Sequence, residues 1–253
     1  LVRNRGQVLA ETREGSEAFR QWYAQTKAMI EEFYMPGQPV LLDPFSYYFE
    51  NATGDVRKLR WLVSQKNRAL VLEIGAGSTH DARMFAQYNS QMNVIALDPY
   101  GKLGTDKNYS GYAKMFREKT LELQRHPMTN AVALQGDLSA ALSFPDASID
   151  TLVFINPSDA AIKTLIVLLR EFDFVKKLKP DAKILIKSAS GVEFFLDLVS
   201  AYFDFWKGEG EVLGVSADAV GKDWGQDYLK GKIYEGTLNA QAGVADGAML
   251  VQE

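Results

Sequence analysis

The stretch that decides the fold of this chain is Ala69-Leu70-Val71-Leu72-Glu73-Ile74-Gly75-Ala76-Gly77. An apolar run without polar alternation leads into a Gly-x-Gly turn, which is typical of a strand buried on both faces of a parallel sheet. Glycines at such a turn allow a tight change of direction and a close approach of a ligand to the backbone. The stretch therefore predicts a buried strand with a candidate ligand site at its carboxyl end.

Further apolar runs follow the first at intervals that leave room for helices. These runs are Asn93–Leu97, Ala131–Leu134, Thr151–Ile155 and Lys183–Ile186, and late strands are expected at 211–215 and 248–251. Helical patterns occupy residues 80–89, 109–125, 159–178 and 191–205. Strands that alternate with helices predict an α/β fold with a doubly wound, mostly parallel sheet. The polar, glycine-rich segment 206–246 is expected to be a loop excursion.

The residues before the first strand are predicted to be helical. Apolar side chains recur at helical spacing from Glu17 to Tyr34 and again over 56–63. We expect residues 1–66 to form a helical cap and residues 67–253 to form the main domain, because a segment as short as the cap buries too little surface to fold alone. The cap aromatics either anchor these helices to the sheet or line a lid over the ligand site; they are Trp22, Tyr23, Phe45, Tyr47 and Tyr48.

Composition excludes several classes of site. The chain has 28 Lys and Arg against 32 Asp and Glu, a net charge of −4, and this balance and the lack of a basic run argue against nucleic acid as a partner. The absence of cysteine excludes disulfides, thiolate zinc sites and cysteine nucleophiles. With His80 and His126 alone, an imidazole-rich metal site is excluded too. No apolar run approaches the ~18 residues of a membrane span, so we expect a cytoplasmic protein without a membrane partner.

Three acids follow the predicted strands at positions where a nucleoside would meet them. Glu73 lies two residues before Gly75, where a carboxylate would repel a pyrophosphate and attract a cationic ligand. Asp98, 21 residues after Gly77, offers two acceptors for the hydroxyls of a ribose. Asp137 could accept a hydrogen bond from an exocyclic amine such as that of adenine.

Other polar residues flank the fourth predicted strand. Asp146 and Asp150 precede or begin it, and Asn156-Pro157 follows it. We expect all of these positions to lie with the three acids at the carboxyl ends of strands, where open α/β sheets bind ligands.

In this order the motifs resemble those of the class I (Rossmann-like) S-adenosylmethionine-dependent methyltransferases, over about residues 67–190. The resemblance rests on Glu73-x-Gly75-x-Gly77, Asp98, Gly136-Asp137-Leu138, Phe144-Pro145-Asp146 with Asp150, Asn156-Pro157 and Leu178-Lys179-Pro180. It implies a Rossmann-like fold that binds S-adenosylmethionine. The residues implied to hold this cofactor are Glu73, Gly75, Ala76, Gly77, Asp98, Pro99, Asp137, Leu138, Asn156 and Pro157.

The resemblance also implies an enzyme that transfers a methyl group by in-line displacement, and we expect a small-molecule acceptor. Such a reaction depends mainly on alignment of donor and nucleophile. A general base is needed only if the acceptor must lose a proton; His80, His126 and Asp159 are candidates, and none is assigned as catalytic.

Three alternatives stay open. The acceptor is RNA or protein in the first, because Asn156-Pro157 partly resembles the Asn-Pro-Pro-aromatic box of enzymes that methylate amino groups of nucleic acids. The second is a non-catalytic relative that binds S-adenosylmethionine and regulates a partner. The third, a nicotinamide dehydrogenase, is disfavoured because His80 stands where the dinucleotide fingerprint needs its third glycine.

Overall fold

The structure is a computed structural model that describes residues 5–33, 52–76, 85–87, 89–98, 130–188, 195–207, 211–212, 215–216 and 232–239. The helices with stated bounds are α1 (Arg5–Thr12), α2 (Glu17–Phe33), α3 (Ala52–Ser64), α4 (Asp159–Glu171) and α5 (Leu196–Val199), with 3₁₀-helices at Leu138–Ser143 and Phe174–Lys177. The strands are β1 (Ala69–Ile74), β2 (Met92–Asp98), β3 (Ala131–Gln135), β4 (Ile149–Ile155), β5 (Leu178–Ser188), β6 (Phe203–Lys207), β7 (Glu211–Val212), β8 (Val215–Ser216) and β9 (Lys232–Leu238).

Within these residues, one sheet contains seven strands in the order β3-β2-β1-β4-β5-β9-β6. Strands β1 to β5 pair in parallel, and β9 pairs antiparallel with both β5 and β6. The order reverses between β1 and β4, and open α/β sheets bind ligands at such a switch point. The predicted α/β fold with a doubly wound, mostly parallel sheet is therefore confirmed.

The sheet is buried because its central strands are apolar along their whole length. Val71 and Leu72 of β1 and Leu152 of β4 are fully buried, as expected for strands that helices cover on both faces. α3 contributes Leu59 and Leu62 to the same core, and α4 contributes a full apolar face. No helix in the ranges given above is long and apolar enough to cross a membrane.

The carboxyl-terminal part of the sheet differs from the prediction. The helix expected over 191–205 extends too far, because α5 ends at Val199 and Phe203–Lys207 form β6. The late strand expected at 211–215 is present in part as β7, which pairs with β8, whereas the loop expected after it contains β9. A Cβ atom on Gly236 of β9 would lie 3.0 Å from Phe205 Cδ1 and 3.1 Å from Ile184 Cγ2. Glycine fits this crowded position, and its missing side chain hides the strand pattern in the sequence.

The amino-terminal helices pack on α4. Lys163 is almost completely buried there, with its Nζ 2.6 Å from Glu11 Oε2 and 5.2 Å from the centre of the Trp22 ring. The Tyr23 hydroxyl donates to Glu171 Oε1 at 2.8 Å. Trp22 and Tyr23 therefore anchor α2 to the rest of the molecule. The division at residue 66 stays a prediction.

Several expected features lie outside the described residues. They are the aromatic residues Phe45, Tyr47 and Tyr48, the helix predicted over 109–125 and the strand predicted over 248–251.

Candidate functional site

Two acids share one face of the sheet near the switch point. Glu73 pairs with Ala96 of β2, and Asp98 lies two residues beyond Ala96. Paired residues of parallel strands and residues two apart on one strand point to the same face. Strand spacing of ~4.8 Å and a rise of ~3.3 Å per residue place the two Cα atoms roughly 8 Å apart.

Both acids are deeply buried. Glu73 is 1% exposed and Asp98 is 0% exposed, and both residues take part in interactions within the protein. Asp and Glu are almost never fully buried unless they are paired or hydrogen-bonded, because desolvation disfavours the charged form. The fold thus commits two carboxylates to the edge where a parallel sheet binds ligands.

The turn after β1 leaves open space beside these acids. Gly75 has φ +72°, in the left-handed region that favours glycine. Its N–H donates to Leu97 O at 2.8 Å, and the N–H of Ala76 donates to the same oxygen at 3.1 Å. These bonds fix the turn against β2, and a Cβ on Gly75 would meet no atom of the described residues within 4 Å. Gly77 and Pro99, which the resemblance also places here, lie outside the described residues.

The segment after β3 has a structural role as well as the expected binding role. The N–H of Gly136 donates to Asp98 O at 3.0 Å, which ties the end of β3 to β2. Asp137 caps the following 3₁₀-helix: its Oδ1 accepts from the N–H of Ser139 at 2.8 Å and from the Ser139 hydroxyl. Leu138 is fully buried. Oδ2 is therefore the Asp137 oxygen better placed to accept from a ligand amine.

The segment after β4 presents Asn156 at the same edge. This residue has φ +45°, is exposed, and donates its N–H to Lys187 O at 2.7 Å. Pro157 next to it is buried. Ser158 caps α4, since its Oγ accepts from the N–H of Ala161 at 3.4 Å. Asp159 lies in the first turn, where a carboxylate is favoured by the helix dipole.

Asp146 and Asp150 are not at this edge, so the expectation that all polar positions lie at carboxyl ends is wrong for them. β4 begins at Ile149, which puts both acids at its amino end. Asp150 accepts from the N–H of Leu70 at 2.7 Å and lies 2.6 Å from Lys179 Nζ. The hydrogen bond from Lys177 lowers the pKa of Asp146. Both acids join strands and turns on the opposite edge of the sheet.

Lys187 is a candidate residue that the sequence analysis missed. It lies near the carboxyl end of β5 and is only 3% exposed, and it interacts within the protein. Val153, the partner of Glu73, pairs with Leu185, and Lys187 is two residues beyond, so Lys187 points to the face that carries Glu73 and Asp98. The feature of the sequence that points to it is a lysine directly after the apolar run Ile184–Ile186, just beyond the predicted end of this strand.

Together these residues fit a cationic nucleoside. Glu73 supplies negative charge, Asp98 supplies paired acceptors, and the open turn at Gly75 allows a ligand to approach the backbone. S-adenosylmethionine is such a nucleoside: its sulfonium and ammonium groups are positively charged, and its ribose hydroxyls donate hydrogen bonds to acceptors.

No family model and no curated protein matches the chain. Among solved structures, the chain is similar to the 16S rRNA methyltransferase KamB, with 16% identity over 72% of this chain and 92% of that one and a TM-score of 0.43. A 30S ribosomal methyltransferase from an uncultured bacterium matches with 14% identity over 73% and 93% of the two chains and a TM-score of 0.42. A precorrin methyltransferase from Geobacter metallireducens matches with 13% identity over 76% and 89%, with a TM-score of 0.40.

Likeness at this level of identity concerns the fold. The class of enzyme named for these structures is the one that the sequence motifs of this chain resemble. The expectation that nucleic acid is an unlikely partner is contradicted by these matches, because two of them are named as ribosomal or rRNA methyltransferases, and the expected small-molecule acceptor is not confirmed.

Proposed function

We propose that this protein transfers a methyl group from S-adenosylmethionine to a base of RNA. The observation that carries the first half of the proposal is the pair of buried acids, Glu73 and Asp98, on one face beside the open turn at Gly75. A dinucleotide would bring a pyrophosphate next to Glu73, which its carboxylate would repel. A nucleoside that carries positive charge suits the same position.

The cofactor supplies an activated methyl group on a sulfonium, so the task of the chain is to bind, orient and exclude water. In this proposal Glu73 faces the positive charge, Asp98 accepts from the ribose hydroxyls and Asp137 accepts from the adenine amine. Positioning of this kind contributes roughly 7–11 kcal/mol to lowering a barrier, without a dedicated catalytic side chain.

The second half of the proposal, an RNA base as acceptor, is supported by Asn156. Asn156 is exposed and directly follows the last residue of β4, the strand that pairs with β1 at the switch point. An asparagine amide both accepts and donates hydrogen bonds, which lets it pair with the edge of an adenine. Asn156 is therefore suited to orient an exocyclic amine of a base toward the cofactor.

Calorimetry with S-adenosylhomocysteine tests the cofactor site. We expect the full chain to bind this product, and Asp98→Asn to weaken binding about 10- to 100-fold, because hydrogen bonds to a charged group are worth about 1.5–3 kcal/mol. Asp146→Asn is the matched control, since the same change at the opposite edge of the sheet should leave binding unchanged. Absence of binding by the full chain would overturn the proposal.

Transfer of a tritiated methyl group from S-adenosylmethionine tests the acceptor. The full chain is incubated with total bacterial RNA, with total protein, or with a small-molecule extract, and we expect label in the RNA alone. Asn156→Ala should lower incorporation by a larger factor than it lowers S-adenosylhomocysteine binding, because its proposed role is to orient the acceptor base. Label in protein or in the extract would contradict RNA as the acceptor and leave the cofactor site standing.

A further inference from the structure

The outward side of α3 and the turn after it form a surface that the proposed function does not use. We call it the α3 surface and define it by Arg60, Trp61, Lys66 and Arg68. Leu59 and Leu62 of the same helix are buried against the sheet, while Trp61 is 45% exposed. The indole of Trp61 is thus partly open to solvent, where an aromatic ring can stack on a base.

This surface is strongly basic, although the whole chain is acidic. Residues 58–68 carry four basic side chains and no acid. These basic residues do not form a continuous run in the sequence, because Leu59, Leu62 and Val63, which face the core, lie between them. The premise that this chain lacks a basic stretch is therefore wrong at α3.

The three cations of the α3 surface have no acidic partner within the described part of the chain: no ion pair there involves Arg60, Lys66 or Arg68. Residues 89–93, which precede and begin the adjacent strand β2, carry no charge. Asp150, on the strand next to β1, is already paired with Lys179 at 2.6 Å.

The α3 surface lies far from the candidate cofactor site. Asn93, at the start of β2, donates from Nδ2 to Leu62 O at 2.9 Å, which fixes the end of α3 at the amino edge of the sheet. Glu73 and Asp98 lie at the carboxyl edge. The seven residues of β2 span about 23 Å at ~3.3 Å per residue. A stacked single strand of RNA would need about seven nucleotides to cover the same length at ~3.4 Å per nucleotide.

We propose that the α3 surface binds a single-stranded segment of the RNA acceptor, with Trp61 stacked on a base and Arg60, Lys66 and Arg68 on phosphates. Surfaces that bind single-stranded nucleic acid combine a basic track with aromatic side chains in this way. The inference rests on the proposed function only in that RNA is the acceptor. Binding at the α3 surface and methyl transfer at the carboxyl edge are separate properties that are measured separately.

Fluorescence anisotropy with a labelled 20-nucleotide single-stranded RNA of mixed sequence tests the surface. We expect Trp61→Ala to weaken binding about 5- to 100-fold, the range expected for loss of one stacked base. Arg60→Gln with Lys66→Gln should reduce the slope of log K against log salt by about 0.7 for each lost contact. Leu9→Ala and Lys176→Gln, which remove an exposed apolar side chain and an exposed cation elsewhere, should bind like the parent protein.

Length dependence gives a second readout. The parent protein should bind the 20-nucleotide RNA more tightly than a four-nucleotide RNA, which is too short to reach from the α3 surface to the carboxyl edge. Equal binding of the long RNA by Trp61→Ala and the parent protein, with both folded by circular dichroism, would overturn the inference. So would a dimer in sedimentation velocity that Trp61→Ala abolishes, since a second copy of the chain would then occupy the surface.

The two proposals fail in different ways. If Trp61→Ala weakens RNA binding but no RNA accepts label, the α3 surface stands and the proposed function fails. If RNA is labelled and Trp61→Ala has no effect on RNA binding, the proposed function stands and the α3 surface fails. S-adenosylhomocysteine binding should be the same in Trp61→Ala as in the parent protein in either case.

Discussion

Glu171 shows how a single side chain links two helices. Its Oε1 accepts from the Tyr23 hydroxyl at 2.8 Å, and its Oε2 lies 2.6 Å from Lys27 Nζ, so α4 holds two residues of α2. The hydrogen bond from Lys27 lowers the pKa of Glu171, and the same contact raises the pKa of Lys27. Burial, helped by the bond to Glu171, raises the pKa of Tyr23.

A carboxyl group whose pKa is lower in the folded state stabilises the fold above its unfolded pKa, and that contribution is lost as the pH falls through the folded pKa. We therefore expect Glu171→Gln to lower the free energy of unfolding by about 0.2–1 kcal/mol at pH 7, the range for partly exposed pairs. The difference from the parent protein should shrink as the pH falls below the ordinary glutamate pKa of ~4.3. Urea unfolding at pH 7, 5 and 3 measures it, and a difference that stays constant with pH would contradict this assignment.

The residues of the candidate site that could be predicted are those that mark a strand end or a turn in the sequence. Gly75 and Asp98 follow from a strand that ends in a glycine turn and an acid at the end of the next strand. Lys187 was not predictable, because its burial depends on the register of β5 against β4 and not on its neighbours in sequence. The second role of Asp137, as a helix cap, was hidden for the same reason.

At the scale of elements, β9 fits between β5 and β6 only because position 236 has no side chain. Gly236→Ala should reduce the free energy of unfolding by about 1–3 kcal/mol, since an added methyl group in a filled core forces its neighbours to move. Gly136→Ala is a control, because a Cβ there would lie 3.7 Å from Ala140 Cβ, an ordinary contact. Thermal unfolding followed by circular dichroism compares the two, and equal losses of stability would show that the crowding at Phe205 and Ile184 is relieved.

The strands that are buried on both faces of the sheet were predicted more accurately than the strands in its antiparallel part. β1 matches the predicted residues Ala69–Ile74 because a strand buried on both faces is apolar throughout. β6 and β9 were missed because they belong to the antiparallel part of the sheet, where Asp204, Glu235 and Gly236 interrupt the apolar pattern. α4 ends at Glu171, seven residues before the predicted end, because Asp173 with φ +51° starts a separate 3₁₀-helix.

At the scale of the whole molecule, Lys163 joins the amino-terminal helices to α4. Its ammonium group lies 5.2 Å from the centre of the Trp22 ring and 5.6 Å from the centre of the Phe195 ring, and it contacts Glu11. We expect Lys163→Met to remove the ion pair with Glu11 and to destabilise the protein by less than the ~3–5 kcal/mol expected for breaking a fully buried pair, because this pair is partly exposed. Hydrogen exchange read by mass spectrometry should show α1 and α2 exchanging sooner than β1 and β4. Lys176→Met, at an exposed ion pair, is the control, and uniform acceleration across the chain would contradict a local link.

The antiparallel strand in the sheet also has a consequence for synthesis of the chain on the ribosome. β6 is made before β9, yet it joins the sheet only through β9. Until residue 238 has emerged, the edge of β5 that will pair with β9 exposes unpaired amides and carbonyls. Unpaired strand edges of this kind can pair with other chains. The nascent protein therefore passes through an interval in which this edge of β5 is open to pairing with other chains.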